Sequence, residues 1–414
     1  MTQPQSVTVI GAGIVGVCCA FQLLRDGRRV TLLDPDPPGS HTSFGNAGAI
    51  SAQSCIPMAG PGIVKQVPKW LLDPLGPLAI RWSYLPQALP WLLRFVAAGR
   101  ADRVKAQSKA LRALHEPVVE AHLDLARAAG CAELIRRDGA LYVYETEAAF
   151  AADAGNRALM RERGVALQEL DGAELRQMEP DLAPIFVRGT FFPGGAHCVD
   201  PGSLVTRYAD AFLRAGGAFR QARALGFEMG PDGPRGVRTE DGLLPAERIV
   251  IAAGAWSHRL TAQLGDRVPL ESERGYHMVL PHAGATTRRP VTFVERRFMA
   301  TGMAMGLRLA GTVEFAGLDA PPNWGRAERL VEHASRAFAR IDAGNGSRWM
   351  GHRPATPDSL PVIGRSPRHR NVFYAFGHGH LGLTGAAVTG RHIADLVAGR
   401  EPAIDLAPFR ADRF

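Results

Sequence analysis

The opening of the chain constrains the fold more than any other segment. Ser6 to Ile10 is a short apolar run that reads as a buried parallel strand. It enters Gly11, Gly13 and Gly16 in G-x-G-x-x-G spacing ahead of a helical stretch. Gly11 permits a tight turn and Gly13 lets a pyrophosphate approach the backbone. Gly16 lets helix and strand pack closely, with the helix N-terminus facing the phosphates. The helix is expected to end at Gly27, and a second strand, Arg29 to Leu33, runs into Asp34. A carboxylate there accepts hydrogen bonds from a ribose hydroxyl and disfavours a 2′-phosphate. Glycines alone serve any strand-to-helix turn, but two strands and the acid together point to dinucleotide binding. A nicotinamide enzyme would continue in strand and helix alternation. The chain after Asp34 instead turns irregular and rich in Gly, Ser, Pro and Trp, which favours a flavin.

Composition narrows the class. At 414 residues, 46% hydrophobic and 21% charged, the chain has the balance of a soluble globular protein with room for two lobes. No stretch approaches the roughly 20 uninterrupted apolar residues of a membrane span, and the N-terminus has no signal-peptide pattern, so the cytoplasm is the expected location. Five cysteines, with Cys18 and Cys19 adjacent in an expected helix, suit reduced core thiols rather than a disulfide framework. The net charge of +8 fits anionic company: cofactor phosphates, a carboxylate substrate, an acidic membrane surface or nucleic acid. The arginines are scattered and no lysine-rich block interleaves with aromatics, which argues against a nucleic-acid module. The 13 histidines show no metal-ligand spacing with cysteines or acids, and no G-x-S-x-G elbow is present.

Farther along, Ile63 to Arg100 is apolar and aromatic, with Trp70, Trp82, Tyr84 and Trp91 bordered by Lys65, Lys69, Arg81 and Arg94 and broken by prolines. It reads either as packed wall of a substrate lobe or as a surface that dips into a membrane interface. Ala101 to Ala129 is helical, divided at Pro117 and closed at Gly130. Leu141 to Tyr144 and Gly189 to Phe192 are expected strands, and Pro201 to Ala215 an expected helix. The strand Ile249 to Ala253 runs into Gly254, Ala255 and Trp256, either against a flat cofactor or simply out of a core. Gly275 to Leu280, Val291 to Val294 and Gly306 to Phe315 form an expected antiparallel sheet inserted between parts of the nucleotide lobe. A helix from Thr384 to Ala398 closes the chain. On residue type alone, Arg353 is equally a carboxylate clamp, through its planar fork, and a structural ion pair with Asp358.

Motifs spread over the whole chain resemble the FAD-dependent D-amino-acid oxidases and dehydrogenases, a family that includes glycine and sarcosine oxidases. They are VIGAGIVG at Val9 to Gly16, SFGNAGAIS at Ser43 to Ser51, PGGAHCVDP at Pro193 to Pro201, IVIAAGAWS at Ile249 to Ser257, RGYH at Arg274 to His277, GHRPATPDSLPVIG at Gly351 to Gly364 and GHGHLGLTGAAVTG at Gly377 to Gly390. Within the family, NAG, VDPGSLV and RGYH together are most similar to the bacterial D-amino-acid dehydrogenase small subunit and D-hydroxyproline dehydrogenase branch.

The resemblance implies an α/β fold: a Rossmann-like FAD-binding lobe assembled from segments 1–60, 195–265 and 346–414, and an α+β substrate lobe from 61–194 and 266–345 with a mainly antiparallel sheet. It places Gly11, Gly13, Ile14, Val15, Gly16 and Asp34 on the cofactor, with Ser43, Asn46, Ala47 and Gly48 along the pyrophosphate and flavin. Ala253, Gly254 and Trp256 supply a second wall, and Gly377, His378, Gly379, His380, Leu381 and Gly382 lie near the flavin ring. The flavin-linking cysteine of sarcosine oxidases has no counterpart, so noncovalent FAD is expected. Arg353 becomes the substrate-carboxylate clamp, and Tyr276 and His277 become pocket residues. The implied reaction is hydride transfer from the α carbon of a small D-amino acid or cyclic D-imino acid to flavin N5, with no obligatory base. A quinone or artificial dye is the expected electron acceptor and oxygen the alternative, with peripheral attachment to the inner face of the cell membrane. Three other readings stand beside it: a glycine or sarcosine-type secondary amine oxidase, a flavin-binding subunit of a larger dehydrogenase complex, and an RNA-linked role.

Overall fold

The computed structural model describes residues 5–61 and 78–414; Lys65, Lys69 and Trp70 of the aromatic stretch lie outside the described residues. Strand Ser6–Ile10 pairs in parallel with Arg29–Asp34 on one side and Arg248–Ile251 on the other. Ala218–Gln221 and Val372–Phe376 extend this parallel array, and Val362–Arg365 closes its far edge in antiparallel register. Several spatial neighbours in this sheet are far apart along the chain because crossovers carry it away and back. The helices Ile14–Arg25, Val118–Ala129, Pro201–Arg214 and Gly382–Ala398 contribute to one buried cluster on its face. Small residues set how closely two of them pack. A Cβ at Gly390 would stand 2.7 Å from the Cys18 carbonyl oxygen, so Gly382–Ala398 lies directly on Ile14–Arg25. All five cysteines are buried free thiols.

The helical stretch from Ala101 divides at Pro117 into Ala101–His115 and Val118–Ala129, and Gly130 ends it in the left-handed conformation at φ 69°. This is the C-terminal cap that glycine adopts without a Cβ penalty.

A nine-stranded, mainly antiparallel sheet forms the second lobe. Its site-forming part is the ladder of Ser347–Ala355, Glu271–Leu280 and Gly306–Phe315, with helix Gly325–Ala337 packed on one side over Tyr276, Met278 and Leu280. Two boundaries differ from expectation. Ser347–Ala355 was expected in the FAD-binding segment beginning at 346, but it pairs with Glu271–Val279 along its whole length and belongs to this sheet. Glu271–Leu280 begins four residues before Gly275, because Glu271, Glu273 and Arg274 are buried here despite their charge. A three-stranded sheet of Ala224–Gly230, Gly233–Thr239 and Gly242–Pro245 was not anticipated. Its signal is legible as Asp-Gly pairs at Asp232-Gly233 and Asp241-Gly242, the residues that tight hairpin turns favour.

Candidate active site

The cradle begins where Ser6–Ile10 ends. Gly11 has φ 109°, and a Cβ on it would meet the Ala252 carbonyl oxygen at 2.4 Å. A Cβ on Gly16 would stand 1.8 Å from the Gly11 carbonyl oxygen, so helix and turn are in backbone contact. Gly13 caps the helix, and the Ile14 N–H donates to Ser43 Oγ at 2.9 Å, which brings the loop after the second strand onto the helix N-terminus. Asp34 accepts from the Ala12 and Asp36 amides at 2.7 and 3.0 Å. Burial raises its carboxyl pKa while these two bonds oppose the rise.

The loop carrying Asn46, Ala47 and Gly48 is strapped to the second lobe. Buried Arg308 donates to the carbonyls of Phe44 and Asn46 at 3.2 and 2.6 Å, and Thr301 donates to the Ala47 carbonyl at 2.9 Å. Asn46 Oδ1 accepts the Gly48 N–H at 2.8 Å. Gly48, at φ 81°, has the Cys198 carbonyl where a Cβ would lie, 2.5 Å away. The His277 ring, held neutral by burial with its pKa pushed down to about 3, donates to the Gly45 carbonyl at 3.0 Å and stacks on Trp349.

One cavity of about 890 Å³ joins this cradle to the underside of the antiparallel ladder. Gly11, Gly13, Ile14, Val15, Asp34, Ser43, Asn46, Ala47, Ala253, Gly254 and Trp256 line it, as do His378, Gly379, His380, Leu381, Gly382, Tyr276 and Arg353. Four expected site residues stand behind that lining. Gly16 and Gly48 act through backbone contact, and Gly377 lines a small side recess. His277 supports Trp349, which itself faces the cavity. The Tyr276 hydroxyl donates to Glu314 Oε2 at 2.5 Å and accepts the Asn323 N–H at 2.9 Å, so its polar end is engaged inside the second lobe. His378 bonds Thr389, and burial lowers its pKa to about 3.

Arg353 is a cation at the ladder end of the cavity. Its Nη1 donates to the Thr312 carbonyl at 2.9 Å and its Nη2 to the Gly311 carbonyl at 3.4 Å. Those carbonyls are turned inward by an irregularity in the ladder, where Thr312 takes φ 60°. Gly275 lies under the guanidinium: a Cβ there would be 2.1 Å from Nη2. An ion pair with Asp358 is not formed, because Asp358 bonds Arg413 at 2.7 and 3.1 Å. A guanidinium has five N–H donors, so two carbonyl bonds leave donors for a ligand.

This cavity pairs a glycine-tight turn, a half-buried acid at the end of the second strand and a small-residue wall, which fits FAD. The chain matches the family described as FAD dependent oxidoreductase (DAO) over residues 6–396. It belongs to that family. It is 45% identical to a D-amino-acid oxidase of Bradyrhizobium diazoefficiens, with 100% of both chains covered. It is 35% identical to a D-amino acid dehydrogenase of Paramagnetospirillum magneticum, covering 99% of this chain and 98% of the other. Among solved structures, glycine oxidase from Geobacillus kaustophilus superposes with a TM-score of 0.73 at 25% identity over 99% of each chain. L-proline dehydrogenase from P. horikoshii shares the fold, with a TM-score of 0.76 at 18% identity over 100% of this chain and 98% of the other. The protein is an FAD-dependent oxidoreductase of the DAO family.

Sequence reading missed Glu273, Trp349, Arg308 and Thr312. Glu273 could have been found from strand alternation, since it lies two residues before Gly275 on the same face. Arg308 is positioned by contacts between lobes, Trp349 by stacking on His277 and Thr312 by an irregular stretch of the ladder, none of which a local pattern encodes.

Proposed function

We propose that the protein dehydrogenates a small D-amino acid or cyclic D-imino acid. The observation that carries this is Arg353, half-buried and held on two carbonyls at one end of a cavity whose other end is the nucleotide cradle. A fixed planar cation there binds and orients an α-carboxylate. FAD, when bound, supplies the two-electron acceptor for the α C–H bond. Tyr276 and His277 are positioning residues in this reading, the first through Glu314 and the second through Trp349. The full-length likeness to a D-amino-acid oxidase and a D-amino acid dehydrogenase supports the substrate class. Among the described residues no cysteine lines the cavity, which supports noncovalent FAD; acid precipitation should then leave the yellow colour in the supernatant.

The test is anaerobic addition of D-proline, D-hydroxyproline, D-alanine, sarcosine, glycine and L-enantiomers to the yellow protein, watching the oxidised flavin band. Bleaching by D-substrates alone is the expected result. Bleaching by glycine or sarcosine alone would favour the second reading, a secondary amine oxidase, for which the likeness to glycine oxidase speaks. Turnover of the isolated chain with an artificial dye would set aside a silent partner subunit.

For the acceptor, the reading is a membrane quinone, reached by peripheral attachment to the cytoplasmic side of the membrane. Among the described residues no helix is long and apolar enough to cross a membrane. Helix Leu85–Ala98 exposes Leu89, Leu93 and Val96 along one stripe, beside exposed Trp82 and the basic Arg81 and Arg94. Such a surface suits an anionic lipid interface. Sedimentation with anionic vesicles that fails for both the protein and its W82S/L93S variant would sink this attachment.

A further inference from the structure

Strand Glu271–Leu280 is buried along its full length, yet it begins with two carboxylates and a guanidinium. Buried charges are ordinarily paired or hydrogen-bonded. Glu271 accepts from the Tyr84 hydroxyl at 3.0 Å and the Ser272 amide at 2.8 Å. Arg274 donates to the carbonyls of Gly317, Ala320 and Pro321 at 2.9, 2.6 and 3.2 Å. Glu273 differs. It is 6% exposed and makes no hydrogen bond or ion pair among the described residues. It lines both the main cavity and the side recess beside the Gly377–Leu381 turn.

Its position is set by register. Glu273 stands directly opposite Arg353 in the antiparallel ladder, so the two side chains leave the same face of the sheet as neighbours. Arg353 is already held by the Gly311 and Thr312 carbonyls, and no hydrogen bond joins it to Glu273. A cavity end with a fixed cation beside a carboxylate that makes no hydrogen bond matches the two charges of a zwitterionic α-amino acid.

We infer that Glu273 receives the substrate's ammonium group beside the carboxylate held by Arg353, and accepts the proton that the amine sheds before its α-hydrogen leaves. This rests on the amino-acid reading above. In the step, an ammonium N–H bond breaks as a Glu273 O–H bond forms; the nitrogen regains its lone pair and no electrons change hands. The groups facing Glu273 are Arg353 on the paired strand, Glu271 on its own strand, and His378 and His380 on the turn before the last helix. His378 is held neutral by burial, with its pKa pushed down to about 3. Burial lifts Glu273 to about 7 against the pull of Arg353, which suits a carboxylate that exchanges a proton near neutrality.

The test compares wild-type holoenzyme with E273Q and E273D. Anaerobic flavin bleaching by D-alanine and D-proline is followed from pH 5.5 to 9.5, and calorimetry measures binding of propionate and cyclopentanecarboxylate, which lack the amine. Expected for E273Q is bleaching slowed about 100-fold at neutral pH. Its acid limb near pH 7 should move to the alkaline range where the free amine exists, with carboxylate binding within about twofold of wild type. E273D should recover part of the rate and the limb. The inference is overturned if E273Q keeps the wild-type profile, or if carboxylate affinity falls in step with the rate, the mark of a residue that only supports Arg353. If E273Q does not load flavin, a wild-type profile without a limb near 7 overturns it equally. A wild-type protein that no amino acid bleaches would instead refute the substrate class itself.

Discussion

A guanidinium that binds a ligand carboxylate must keep its plane fixed and its outer donors free. Arg353 meets both demands because two main-chain carbonyls hold it and Gly275 leaves room beneath it. Arg353→Lys keeps the charge but loses the fork, so KM for amino acids should rise by about 10- to 100-fold while the flavin spectrum stays that of wild type. Gly275→Ala separates position from charge. Its added methyl occupies the place of Nη2, 2.1 Å away, and should raise KM in the same direction with Arg353 intact. Steady-state kinetics with a dye acceptor read both, and an unchanged KM in the two variants would remove Arg353 from the substrate.

At the scale of elements, the two lobes meet through a loop that belongs to one and is held by the other. The Ser43–Gly48 segment caps the first helix through Ser43, while Arg308, Thr301 and His277 grip its carbonyls from the antiparallel sheet. Charge-assisted bonds to buried carbonyls contribute about 1.5–3 kcal/mol each. Arg308→Met should therefore weaken FAD binding about tenfold or more, measured by equilibrium dialysis, even though the loop sequence is untouched. The final helix gives a parallel case. Gly390→Val would drive a side chain into the Cys18 backbone, and overpacking of this kind lowers stability by about 1–3 kcal/mol, read as a lower denaturant midpoint.

At the scale of the molecule, buried imidazoles couple the fold to pH. His115, His122 and His392 have pKa values pushed down to about 4 by burial, and His378 to about 3. Their folded values lie below the unfolded value of about 6.5. The stability tied to their neutral form is thus fully present above pH 6.5 and is lost as pH falls toward 4. Summed over these rings the effect is on the order of several kcal/mol. Calorimetry should show Tm holding from pH 7.5 to about 6.5 and falling from there to pH 5; a flat Tm between pH 6.5 and 5 would contradict the burial of these rings as neutral groups.

The sequence by itself determined the nucleotide half. Apolar runs, glycine spacing and the Asp34 carboxylate specify strand, turn and helix within the first 34 residues, because those signals act between near neighbours. Pro117 and Gly130 marked helix ends for the same local reason. Arg353 was legible by residue type and motif, but its freedom from Asp358 was not, since Arg413 at the C-terminus takes that carboxylate. Tyr276 and His277 are adjacent in sequence and were read as one pocket pair. The pleat sends them to opposite faces, one to Glu314 and one to Gly45 and Trp349. Glu273 shows the limit most clearly. A glutamate ahead of RGYH reads as a break in an apolar strand, and only the ladder that sets it opposite Arg353 makes it a buried carboxylate facing the cavity. Register and inter-lobe contact join residues far apart along the chain, so tertiary structure alone decided which charged groups meet.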